Sequence, residues 1–174
     1  MQIIMKAFIN QTLILLSLLL ATTVGLSGTC ASDKKAKEFL YKDSLIDEVN
    51  LFTKNENDSL RVIIEDFSIN NKVELMIVIK DSLRGKTIFN LSEQIYNESR
   101  LTQIESAKWV LIVVVTTARQ LRINVGTGSE ERLSDKNCDL VIRKEIVPQF
   151  KENKYFDGLK NGIVALETVL KENK

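Results

Sequence analysis

The sequence contains no histidine, a single proline and only two cysteines. Without histidine there is no imidazole to act as general base or neutral metal ligand, and neither a Ser-His nor a Cys-His nucleophile pair can form. The lone proline, Pro148, argues against proline-rich linkers or tails. Cys30 lies in an apolar N-terminal stretch; if that stretch is removed, Cys138 is the one thiol left, which excludes a disulfide framework and a Cys-rich zinc site. Cys138 stands beside Leu140 and Val141 on an expected helix and reads as a small buried hydrophobe. Net charge is almost absent too. The 24 Lys and Arg against 23 Asp and Glu create no global field for nucleic acid or acidic lipid. Repeats and low-complexity segments are missing, and 174 residues allow one domain plus a targeting segment.

What is present centres on Lys108 to Asp135. Trp109 to Val115 is a continuous β-branched and aromatic run, suited to a strand buried on both faces. Thr116 to Gln120 has the polarity and length of a hairpin connection. Leu121, Ile123 and Val125 then alternate with Arg122 and Asn124, as in a strand with one wet face. Gly126 and Gly128 release the chain into an acidic loop, and Ser134-Asp135 opens a helix. The glycines are expected to supply positive φ where the strand leaves the sheet. A dinucleotide loop is not expected, because the position of its third glycine is Glu131.

Residues 1–31 have the layout of a secretory signal: Lys6 in the n-region, an apolar run from Thr12 to Leu20, then small and polar residues to Ala31. Cleavage after Ala31, lipidation at Cys30 and an uncleaved anchor over Ala7 to Leu26 are the three forms this allows. Residues 32–45 are a charged lead-in and 46–172 the folded domain. Leu45 to Phe52 reads as an apolar approach to a helix from Lys54 to Ile69, with Thr53 and Glu56 at capping-box spacing. A central strand over Val73 to Lys80, a helix over Thr87 to Glu98, a third over Ser134 to Ile146, a break at Pro148 and Phe150, and a last helix over Tyr155 to Leu170 complete the order α, β, α, β, β, α, α. That order implies an α/β fold: a single α/β/α sandwich with a mixed central β-sheet covered by helices on both faces.

From about Ile46 to Leu170 the chain resembles the TPM domain, the family named for a thylakoid lumen protein, a photosystem II repair protein and a nematode receptor-associated membrane protein. Three patterns carry the resemblance. The first is Asp47, Leu51, Phe52, Thr53 and Glu56; the second is Arg119, Leu121, Ile123, Gly126, Gly128, Glu130, Leu133, Ser134 and Asp135; the third is Pro148, Phe150, Tyr155, Gly158 and Gly162. Ala118 stands where the family usually has an acid, Thr127 where it has an aromatic, and Leu101 to Trp109 lacks the usual glycines, so the chain resembles a divergent bacterial member.

The resemblance implies divalent-ion binding, and Asp47, Glu130 and Asp135 are the candidate oxygen ligands for Ca²⁺ or Mg²⁺. Each also has a plain reading: Asp47 on a turn, Glu130 in solvent, Asp135 or Ser134 capping a helix. It implies acid-phosphatase chemistry as well, for which Asp47 and Arg119, with Arg122 adding charge, are the available residues. Ala118 and the absence of histidine weaken that case. The expectation is an exported, non-catalytic binding or accessory domain of the periplasm or cell envelope, serving the assembly or maintenance of membrane proteins. Its expected partner is an envelope or membrane protein rather than nucleic acid, with a membrane tether where the N-terminal segment is kept or lipidated. No nucleotide or organic cofactor is expected. The alternative is a divalent-metal-binding phosphomonoesterase of low activity.

Overall fold

The computed structural model describes residues 43–173; the expected targeting segment and most of the expected lead-in lie outside them. A four-stranded sheet has the order β1-β2-β3-β4, with β1 over Leu45–Asp47, β2 over Glu74–Lys80, β3 over Trp109–Val115 and β4 over Gln120–Val125. β1, β2 and β3 run parallel, and β4 returns antiparallel along β3. The mixed sheet is therefore as the sequence predicts, with one addition. Leu45 to Asp47, expected as a helix approach, is an edge strand paired with Ile77 to Ile79. Three residues are too short to show an alternation, so the period that marks a strand was not there to read.

The central strands are apolar on both faces because both faces are covered. Val110, Ile112 and Val114 join Leu75, Ile77 and Ile79 in one core, while Leu111, Val113 and Val115 join Met76 and Val78 in the other. The first core is closed by α1 (Lys54–Asn71) and by the C-terminal helices. The second is closed by α2 (Ile88–Glu98), through Leu91 and Ile95, and by Tyr96 stacked on Trp109 with ring centroids 4.5 Å apart.

Local chemistry fixes the helix ends. Thr53 and Glu56 form the reciprocal cap, with the Glu56 amide donating to Thr53 Oγ1 at 3.3 Å and the Thr53 amide donating to Glu56 Oε2 at 2.9 Å. Leu60, Ile64 and Phe67 then face the sheet at helical spacing. Ser68 Oγ accepts the Leu75 amide at 3.1 Å, tying α1 to the strand that follows it.

Pro148 does not break the chain where a break was expected. α3 (Asp135–Val141) passes into a π-helical segment (Ile142–Ile146) and on into α4 (Val147–Lys151), which carries Pro148 in its first turn. Proline cannot donate to an i−4 carbonyl, and a widened turn just ahead of it absorbs that loss without ending the helix. The reversal comes at Asn153, whose φ is 60°, and α5 (Tyr155–Glu172) runs back antiparallel. α5 lies close to α4 and the π segment because Gly158 and Gly162 face them. A Cβ on Gly158 would meet Phe150 at 2.7 Å, and one on Gly162 would meet Ile146 at 2.7 Å.

Gly126 and Gly128 are required for a reason other than the expected positive φ, which among the described glycines only Gly85 has. The strand past Val125 lies directly on residues 106–109: the Gly126 amide donates to Trp109 O at 2.9 Å and the Gly128 amide to Ala107 O at 3.1 Å. A Cβ on Gly126 would sit 2.1 Å from Ala107 O, and one on Gly128 would sit 2.0 Å from Ser106 O. Backbone cannot yield as a side chain can. Gly126→Ala should therefore destabilise the domain by about 3 kcal/mol or more. Gly85→Ala, at φ 76° but with nothing within 4 Å, should cost only about 1–2 kcal/mol of backbone strain. Urea unfolding of the two variants beside the unaltered chain checks this ordering, and equal losses would contradict it.

Candidate functional site

The sheet register separates the expected acidic residues. Asp47 pairs with Ile79, Ile79 with Val114, and Val114 with Leu121, so Asp47 stands at the carboxyl ends of the parallel strands. The Gly126–Gly128 bend follows Val125, which pairs with Val110 at the opposite end. Four residues along the strands and three strand spacings lie between them, a diagonal of roughly 20 Å. Glu130 is exposed on the far loop and Asp135 is exposed in the first turn of α3. The Arg132 guanidinium donates to Leu170 O there, docking that loop on the end of α5.

The shared carboxylate site expected of Asp47, Glu130 and Asp135 is therefore not assembled, and the trio does not fit one Ca²⁺ or Mg²⁺ ion. Among the described residues no cluster of three acidic, histidine or cysteine side chains has metal-binding geometry. Asp47 has another task. Its two carboxylate oxygens accept the Val49 amide at 3.2 Å and the Phe52 amide at 3.1 Å, bending the chain from β1 into the cap of α1.

A cleft of about 660 Å³ opens at the same carboxyl end as Asp47 but on the β3–β4 side. Its apolar surface comes from Val114, Leu121, Ile142, Val147, Phe150 and Tyr155. The two aromatic rings pack at 4.9 Å as one wall. Across from them is the hairpin of residues 116–119, held by the Thr116 amide on Lys80 O at 3.0 Å and the Thr117 amide on Asp81 O at 3.1 Å. The Arg119 amide closes the turn on Thr116 O at 3.2 Å, which puts Arg119 at φ 50°. Asn153, at φ 60°, lines the cleft as well. Left-handed backbone at residues with a Cβ is uncommon, and these two are among six such described residues, the others being Asn50, Lys72, Arg84 and Ala107.

The electrostatics of the cleft have one sign. Arg119 and Lys151 are its charged lining residues, no acidic side chain lines it, and neither cation belongs to an ion pair among the described residues. Ion pairs among the described residues lie outside the cleft, as in Arg100 with Glu74 and Lys80 with Glu48. Of the four residues singled out in the sequence, Arg119 lines the cleft and the three carboxylates do not. The cleft joins segments some thirty residues apart, and no spacing rule connects a hairpin turn to the wall made by α4 and the start of α5. The expected turn at 116–120 and the Pro-aromatic-Tyr pattern were its only traces in the sequence.

Cys138 lies among Val141 and Leu133 in the larger core and is 3% exposed. Burial first, and the Asp135 charge second, push its thiol up from 9.0 to about 11. It is a packed hydrophobe and no nucleophile. Below about pH 9 the thiol is neutral in both folded and unfolded chains. Between about 9 and about 11 the unfolded chain releases the proton and the native one holds it, so native stability falls as pH rises through that window. The unfolding free energy relative to Cys138→Ala should shrink by on the order of 2 kcal/mol across it. Urea titrations of both chains measure this, and a difference flat with pH would count against the burial.

The TPM domain family matches residues 45–169. No curated protein matches the chain. Three solution structures share its fold. The N-terminal domain of a P. gingivalis protein has TM-score 0.68 at 20% identity, covering 78% of this chain and 88% of that one. The BA42 protein of the psychrophilic bacterium Bizionia argentinensis has TM-score 0.65 at 21% identity, covering 72% and 86%. The N-terminal domain of the cg2496 protein of Corynebacterium glutamicum has TM-score 0.57 at 14% identity, covering 77% and 82%. With the sandwich, the Gly-x-Gly bend and the Pro-aromatic-Tyr-Gly tail all in place over the matched span, the chain belongs to the TPM domain family.

Proposed function

We propose that this domain is a non-catalytic binding module of the cell envelope and that it takes its ligand in the cleft between the β3–β4 hairpin and α4. The observation that carries this is the cleft itself: about 660 Å³, apolar within, at the carboxyl ends of parallel strands, where α/β sheets commonly bind ligands. Catalysis is disfavoured by what lines it. Thr116 and Tyr155 offer hydroxyls, but no carboxylate, thiol or imidazole lines the cleft to activate them. Asp47, the sequence's candidate nucleophile, has both carboxylate oxygens engaged by backbone amides. The envelope location is supported by the signal-like residues 1–31, and the service to membrane proteins belongs to the same proposal. Among the described residues no helix is long and apolar enough to cross a membrane.

The neutral dye 1-N-phenylnaphthylamine tests the cleft without reference to charge. Its fluorescence should rise with the full chain, and the rise should be lost in Val147→Trp, which fills the cleft, with circular dichroism confirming the fold. Leu121→Phe serves as a second filling variant. A rise that survives both places the dye elsewhere and removes this reading. With p-nitrophenyl phosphate, with or without Ca²⁺ or Mg²⁺, we expect no turnover above the blank; turnover abolished by Asp47→Ala would put the phosphatase first.

A further inference from the structure

We infer that the cleft selects an aliphatic chain ending in one carboxylate, an inference that rests on the cleft being the ligand site. Arg119 and Lys151, both exposed, are the charged residues that line the cleft, and neither has an ion-pair partner among the described residues. Arg119 stands on the hairpin and Lys151 on the last turn of α4, so two independent elements bring positive charge to one opening. The absence of any acid in the lining means nothing inside neutralises them. A cationic or zwitterionic ligand gains little there, and a neutral one leaves both charges unused.

The shape of the charge narrows the class further. A guanidinium offers a planar fork of donors that a carboxylate meets with two parallel hydrogen bonds, and an ammonium beside it adds a point charge. Arg119 is held at φ 50° by the turn closed on Thr116, so its backbone position is set by the hairpin before any ligand arrives. Beyond that head group the lining is aliphatic and aromatic: Val114, Leu121, Ile142 and Val147 with the Phe150–Tyr155 wall. One anion followed by an unbranched apolar chain matches both halves.

Decanoate is the test ligand, followed by methyl resonances of Val114, Leu121, Ile142 and Val147 in the full chain at low salt, where surface charges are least screened. Decanoate should shift these methyls in a saturable way. Octanoate, two methylenes shorter, should bind about tenfold more weakly. Arg119→Gln with Lys151→Gln should weaken decanoate at least tenfold more than it weakens the neutral dye, and the two single variants should each give part of the loss. Decyltrimethylammonium should not compete. If decanol or the ammonium binds as well as decanoate, or the double variant binds it unchanged, the carboxylate preference is wrong and the cleft still stands as an apolar site. If neither decanoate nor the neutral dye reaches these methyls, both readings fall together.

Discussion

The pairing of β2 with β3 is the constraint on which the rest depends. Seven residues of each lie in parallel register, from Glu74 with Trp109 to Lys80 with Val115, and all seven of β3 are buried. A strand covered on both faces leaves no solvated side to slip toward, so the register is held by two cores at once. Each further element takes its place from that seam. β1 adds to the outer edge of β2, β4 folds back on β3, and the helices divide between the faces according to which alternate residues they cover. The ends of the sheet are set in the same way, and with them the position of the hairpin and its cleft.

The two ends of the sheet are built differently. At the amino ends of the parallel strands, glycine backbone lies directly against residues 106–109, Arg132 reaches the last turn of α5, and Trp109 stacks on Tyr96. At the carboxyl ends the hairpin projects past the core and a cleft remains beside it. The Gly-x-Gly part of the family pattern therefore belongs to the closed end, and Arg119, which precedes it in the same pattern, belongs to the open one. The linear motif spans the length of β4.

Most of the architecture was legible because it is written in periods. The apolar runs of the central strands, five residues in β2 and seven in β3, the helical spacing of Leu60, Ile64 and Phe67, and the Thr53–Glu56 cap each announce a local structure that tertiary packing then confirms. What could not be read was short or non-local. β1 has three residues and no period of its own. Glycines needed for close backbone approach look in sequence like glycines needed for a turn. Carboxylates belonging to one family pattern invite a shared site, but whether Asp47 and Glu130 meet depends on which sheet end each reaches, and only the register decides that. Arg119 was visible as a turn residue with charge; the aromatic wall facing it came from another part of the chain.

The π-helical segment at Ile142–Ile146 carries a consequence for that wall. An α-helix turns about 100° per residue, so a single extra residue in one turn rotates everything beyond it by about that angle. α3 keeps Cys138 and Val141 toward the core, and α4 beyond the widened turn presents Val147, Phe150 and Lys151 to the cleft. The two helices are thus phased independently along one unbroken axis. Phe150 joins the two roles, since it lines the cleft and also packs against Gly158 of α5.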